Sequence, residues 1–230
     1  MSRRAQNGNV LGISLTPVSI SSAAAAVPTV WSADLELKGG ANGSREMLAE
    51  ALVQAVRAAG LEGPDIVVAL LPPLAETRAI LLPPLSADDR DRFLARNAGK
   101  YFLASGGAQV VGTHGGASRG KRSTAGSVLA TAATQMLLHT VHAAAEAAGC
   151  VVKSVVPAEA AWAAAAAAMW PAIARGTAHA IVTRDDRSDM LTLVNGVLEA
   201  VRRFRGPADA AQIADLVGGS PVALMGPADA

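Results

Sequence analysis

One cysteine in 230 residues, Cys150, excludes an internal disulfide, and no cluster of cysteine and histidine accompanies it. A reducing compartment, the cytoplasm, is the simpler setting. Aromatic residues make up 3% of the chain, too few for a base-stacking platform. Charge is also scarce, at 17% against roughly 25% in ordinary soluble domains. With 20 Lys+Arg against 19 Asp+Glu the net charge is +1, so no field draws the chain to nucleic acid or an anionic membrane. Long hydrophobic runs are missing too. The longest, 160–174, is mostly alanine, is broken by Pro171, and falls short of the roughly 18–20 residues that span a bilayer. Arg3-Arg4 opens the chain, but Gln6-Asn7-Gly8-Asn9 is polar where an export signal needs its apolar stretch.

What is present is apolar and small. Hydrophobic residues reach 51% and the mean hydropathy is +0.31, too high for a disordered chain, with alanine supplying much of the count. The length suits one large or two small domains.

Short apolar or alternating runs at Val10–Leu15, Val18–Ser21 and Thr29–Leu35, separated by Pro17 and Pro28, predict three sequential strands. From Ser44, read as an N-cap, apolar residues recur at helical spacing to Gly60. The run 65–71 predicts a strand buried on both faces, and 77–82 a second strand closed by Pro83-Pro84. Ser86 caps a helix through Phe93 and Leu94. Strands at 108–113 and 127–131 flank a Gly-rich basic loop. Thr134 caps a helix ending at Gly149, 151–156 is a strand, and 158–169 is an alanine-rich helix stopped near Pro171. Strands at 178–183, 190–194 and 197–204 follow, the last two joined by an Asn195-Gly196 hairpin turn. A helix from Pro207 to Gly218 and a buried strand at 221–225 complete the reading. Three strands, a helix and a strand therefore occur twice, from about Val10 and again from about Ala178.

That duplicated unit is the pattern of the actin-like ATPase superfamily. The segment Val67-Val68-Ala69-Leu70-Leu71-Pro72, the run Thr77 to Leu85 with its Leu82-Pro83-Pro84-Leu85, and the charged helix into Lys100-Tyr101-Phe102 resemble the PilM family of type IV pilus assembly proteins. They are similar also to the cytoplasmic domain of GspL, the related type II secretion component. The stretches Ser127 to Ala133, Ala147 to Cys150 and Val155 to Ala160 fit the same pattern, so the resemblance covers most of 10–204. It implies an α/β, actin-like (RNase H-like) fold. The first half is expected at 1–177, enlarged by an inserted subdomain at about 76–133, and a short second half at 178–230. The ending Gly226-Pro227-Ala228-Asp229-Ala230 stops where that pattern starts a final helix, so a longer natural chain is expected.

In nucleotide-binding relatives, the turn after the first strand carries an acid that organises Mg²⁺ and amides that approach phosphate. Here Ser14 stands in place of the acid and Pro17 removes an amide. The corresponding turn of the second half reads Thr183-Arg184-Asp185-Asp186-Arg187-Ser188, without glycine and with two adjacent carboxylates that repel a triphosphate. The adenosine turn, Met225-Gly226-Pro227, keeps one glycine of a usual pair. Ser14, Thr183, Asp185 and Gly226 thus mark degenerate nucleotide positions, and no cofactor is expected.

Other motifs favour plain readings. Gly115 to Lys121 resembles a P-loop, but Arg122 replaces the Mg²⁺-binding hydroxyl and a strand follows instead of a helix. Its Arg119, Lys121 and Arg122 suit an acidic partner or lipid headgroups at most. His114, His139, His142 and His179 form no metal-ligand pair, although His139 and His142 share a helix face. Asp88, Asp89 and Asp91 fit a helix N-terminus better than paired catalytic acids. Ser123, Ser127 and Cys150 lack a nucleophile setting, and Cys150 reads as an inert core thiol. Arg202-Arg203-Phe204-Arg205 reads as a solvated strand end, and Trp162 and Trp170 as packing anchors.

The expected function is a non-catalytic cytoplasmic scaffold, peripheral to the inner membrane, in a type IV pilus or type II secretion platform. By resemblance its partners are a PilN-like bitopic membrane protein and the assembly ATPase; a homodimer is compatible, and nucleic acid is not a partner. The alternative is an actin-like ATP-binding protein or ATPase with divergent phosphate loops. A metabolic enzyme on an unrelated α/β fold finds no catalytic constellation.

Overall fold

The structure, a computed structural model, describes residues 9–24, 27–37, 42–103, 107–114, 126–184, 187–207 and 210–226. They fall into two compact units, each assembled from three stretches of chain. Unit 1 takes 1–76, 103–110 and 132–158; unit 2 takes 77–102, 111–131 and 159–230.

In unit 1, β1 (Val10–Leu15), β2 (Ser19–Ala24) and β3 (Val27–Asp34) form an antiparallel meander. After α1 (Asn42–Ala59) the chain returns as β4 (Asp65–Leu70), parallel to β1, and β8 (Val151–Pro157) adds in parallel beyond it. The strand order is β3-β2-β1-β4-β8. Period-two alternation aims Leu11, Ile13 and Leu15 of β1 and Ile66, Val68 and Leu70 of β4 into one core. There they meet Leu48, Leu52 and Ala55 of α1 and Val141, Ala144 and Ala145 of α3 (Gln135–Ala147). Each buried leucine contributes about 2 kcal/mol.

Two details differ from expectation. β4 is buried on one face only, because both α1 and α3 pack on the side of Ile66, Val68 and Leu70; Val67 and Ala69 on the other side are half-buried. Ser44 is not the cap: α1 starts two residues earlier and the Ser44 side chain is buried in the first turn. Elsewhere the boundary chemistry is as read. Gly60 and Gly149 end α1 and the α3 region with positive φ of 64° and 71°. Thr134 Oγ1 accepts from the Leu137 amide to cap α3.

In unit 2, β9 (Thr177–Arg184), β10 (Arg187–Val194) and β11 (Val197–Arg205) form a second meander. After α5 (Ala210–Val217), β12 (Val222–Met225) pairs in parallel with β9. The order β11-β10-β9-β12 repeats the connectivity of β3-β2-β1-β4, so the duplicated unit is a topological fact. Asn195 and Gly196, with φ of 52° and 76°, make the tight hairpin turn. β12 was expected to be buried, but as an edge strand it buries only Ala223 and leaves Leu224 71% exposed. The helix expected from Pro207 is described from Ala210; 208–209 lie outside the described residues.

The segment between β4 and α3 supplies β5 (Ala75–Leu82), α2 (Ala87–Tyr101), β6 (Gln109–His114) and β7 (Gly126–Thr134), with strand order β5-β7-β6. Ser86 caps α2, its Oγ accepting from the Asp89 amide. α4 (Ala158–Met169) places Ala163 and Ala166 in a core with Leu129, Ile173, Leu191 and Leu193, and Trp162 and Trp170 pack against that cluster.

Candidate functional site

The turn after β1 holds the first of the degenerate nucleotide positions. Ser14 sits half-buried within β1, opposite Ser21 and Ala69. The turn beyond it is closed by Thr16. Its Oγ1 accepts from the amides of Val18 at 3.2 Å and Ser19 at 2.8 Å, its own amide donates to the Ser19 carbonyl, and its hydroxyl meets Ser19 Oγ at 2.7 Å. Pro17 has no amide. The donors that a phosphate would need are therefore held by a local threonine turn.

At the other positions, Thr183 lies near the end of β9, half-buried and paired with buried Ser188. Gly226 follows Met225, which pairs with Val182, so Thr183 and Gly226 come to the same end of this sheet. Asp185 and Asp186 lie outside the described residues, as do Arg119, Lys121, Arg122 and Ser123 of the basic loop.

The sheet end beside Thr183 carries an ionic cluster that sequence reading missed. Asp189 of β10 is fully buried, and Arg184 Nη2 donates to its Oδ2 at 2.6 Å while Arg203 Nε lies 3.5 Å from its Oδ1. The Arg184 guanidinium also stacks over Trp162, 5.1 Å from the ring centre. Arg203, read as part of a solvated strand end, does remain 37% exposed, but its guanidinium is engaged from β11. Its Nη2 donates to Oε1 of Glu159 at 2.6 Å and its Nη1 donates to the Thr77 carbonyl at 3.1 Å. Glu159, in the first turn of α4, is 1% exposed.

From Glu159 a directed hydroxyl chain runs into the small sheet. Thr77 Oγ1 donates to Glu159 Oε2 at 3.2 Å, which uses the only hydroxyl proton of Thr77. Thr131 must then donate to Thr77 Oγ1 across 2.9 Å, and His114 Nε2–H must donate to Thr131 Oγ1 across 3.0 Å. Burial lowers the His114 pKa and the Glu159 charge partly opposes it. A neutral Nε2–H imidazole fits both facts.

Two arginines and two carboxylates thus balance, with Asp189 Oδ2 and both Glu159 oxygens engaged. Such a cluster is expensive to break, because removing one ion strands its partner in low dielectric. Its chemistry is that of a lock joining β5 and β7 to α4 and the second meander within unit 2. The missed residues had a faint signal. Glu159 is a lone charge opening an alanine helix, and Asp189 directly precedes the apolar Met190-Leu191 of β10.

The remaining candidates are dispersed. His139 and His142 are exposed on α3, and His179 is buried, with Nδ1 3.3 Å from Thr192 Oγ1 and its pKa lowered by burial. Asp89 bonds Ser86 Oγ, and Asp91 accepts from Thr113 Oγ1 and pairs with Arg90, so both carboxylates serve local structure. Ser127 is exposed, and Cys150 is buried with its thiol pKa pushed up by desolvation. Among the described residues no helix is long and apolar enough to cross a membrane.

No protein-family model matches the chain, and no curated protein sequence matches it. Solved structures do. A chain of the PilM-PilN type IV pilus biogenesis complex superposes with a TM-score of 0.64 at 16% identity, covering 86% of this chain. This chain spans 62% of the length of that one. The cytoplasmic domain of EpsL, an inner membrane component of the type II secretion system of Vibrio cholerae, superposes with a TM-score of 0.53 at 15% identity, covering 95% of this chain and 82% of that one. A Bacteroides thetaiotaomicron protein with an actin-like ATPase fold gives 0.47 at 10% identity, with 92% and 76% covered. The fold is the actin-like one that the duplicated unit and the short motifs imply, shared with these pilus and secretion proteins.

Proposed function

We propose that this chain is a non-catalytic scaffold of the inner-membrane platform of a type IV pilus or type II secretion machine. In this reading it works in the cytoplasm, binds the tail of a PilN-like bitopic membrane protein and couples that protein to the assembly ATPase. The observation that carries the proposal is the likeness over 86% and 95% of the chain to structures from those two machines. The Thr16-filled turn supports the non-catalytic part, since its amides are engaged within the turn.

Crosslinking the tagged protein in its native cells, followed by mass spectrometry, tests the reading. Recovery of a bitopic inner-membrane protein together with an assembly ATPase is the expected result. Recovery of soluble metabolic proteins alone overturns it.

A further inference from the structure

β3 is the outer strand of the five-stranded sheet and, among the described residues, pairs with β2 alone. The Leu35 amide donates to the Val18 carbonyl, so Leu35, Ala33 and Trp31 turn their backbone groups toward β2. By the same alternation Ser32 and Asp34 direct theirs outward, as an open ladder position.

Beside that edge lies a groove of about 560 Å³ between the end of the meander and α1. Val18, Ala33, Met47 and Ala51 give it an apolar floor. Val18 is 66% and Met47 39% exposed. Its rim carries three carboxylates, Asp34, Glu36 and Glu50, of which Glu36 is already engaged, and among the described residues no basic side chain lines it. In a chain with a net charge of only +1, this is a local concentration of one sign.

The geometry points to a peptide-docking surface that goes beyond the scaffold reading: an extended Lys/Arg-bearing segment of a protein partner adds as a strand to the edge of β3. Its alternate residues fall on opposite sides. The set on the α1 side sits over Met47 and reaches Glu50, while basic side chains of the other set reach Asp34 on the opposite face. The carboxylates select against phosphate-bearing partners, so neither nucleic acid nor an anionic lipid surface fits. They also oppose pairing of this edge with the same edge of a second copy.

Short random peptides displayed on phage and panned against the full chain supply the probe. The expected winners are extended sequences that carry Lys or Arg together with apolar residues, and they weaken in high salt. They lose roughly tenfold or more in affinity for the Asp34→Lys, Glu50→Lys double variant, as removal of two charge contacts requires. Methylating alternate backbone nitrogens of a winning peptide is expected to abolish binding, whereas methylating the others spares it. Met47→Glu is a second variant at the floor, and thermal melts establish that both variants are folded. Winners without basic residues, binding unchanged in the folded variants, indifference to backbone methylation, or no winners at all would each overturn the inference. None of these outcomes bears on the crosslinking result, so the two proposals fail separately.

Discussion

Arg203 and Glu159 meet through Nη2 and Oε1 at 2.6 Å, with the carboxylate 1% exposed. Residues 44 positions apart are thereby joined where the three-stranded sheet, α4 and the second meander converge within unit 2. Removing the guanidinium leaves Glu159 charged and buried. Arg203→Met is expected to lower unfolding stability by about 3 kcal/mol or more, read from the urea midpoint. Adding Glu159→Gln, which keeps an acceptor for Thr77, is expected to restore more than half of the loss. A single variant within about 0.5 kcal/mol of the natural chain would remove the lock from unit 2.

Stability should fall in mild acid. His114 and His179 both have pKa values lowered by burial, so the folded state holds them neutral while the unfolded chain takes up protons below the ordinary histidine value of 6.5. Their contribution is complete above that value and declines as pH drops through it toward the folded-state values. Urea midpoints measured down through this range should decrease, and the decrease should shrink in a His114→Gln, His179→Gln double variant. An identical pH dependence in the double variant would assign the acid sensitivity elsewhere.

Mg-ATP should leave the melting temperature unchanged. A ligand a hundredfold above its Kd stabilises by about 2.7 kcal/mol, which moves a chain of this size by several degrees. With Thr16 Oγ1 holding the Val18 and Ser19 amides, no shift is expected at about 1 mM nucleotide, where a Kd of about 10 µM would produce that full effect. A rise of about 5 °C or more would restore the ATP-binding alternative.

Cys150 should resist alkylation. Its thiol is buried and its pKa raised, so little thiolate exists near neutral pH and little of it is accessible. Labelling by iodoacetamide is expected only as urea unfolds the chain. Rapid native labelling, followed by mass spectrometry, would contradict the packing of unit 1.

Much of the fold was legible because its signals are local. Gly60, Ser86, Thr134, Gly149 and Asn195-Gly196 each encode a boundary through their own conformational chemistry, and period-two and helical spacing gave the elements between them. The repeat was readable for the same reason, as an order of elements. Burial depends on what lies across the element, which explains the misreadings of β4 and β12. The ionic cluster was illegible because Thr77, Thr131, Glu159, Asp189 and Arg203 are scattered over 126 positions of sequence separation. Arg203 looks unpaired from its neighbours Arg202 and Arg205; the long-range approach of Glu159 gives it a partner while it stays partly exposed.

The two units each draw on three stretches of chain, so the polypeptide passes between them five times. Vectorial synthesis therefore gives them different timetables. Unit 1 possesses every strand of its sheet once the ribosome has made residue 158, whereas 77–102 and 111–131 must wait for residue 203 before their ionic partners exist. During that interval β5 and β7 are present without the groups that lock them. Synthesis of β9 to β12 is thus the step that completes both the second sheet and the first-made part of unit 2.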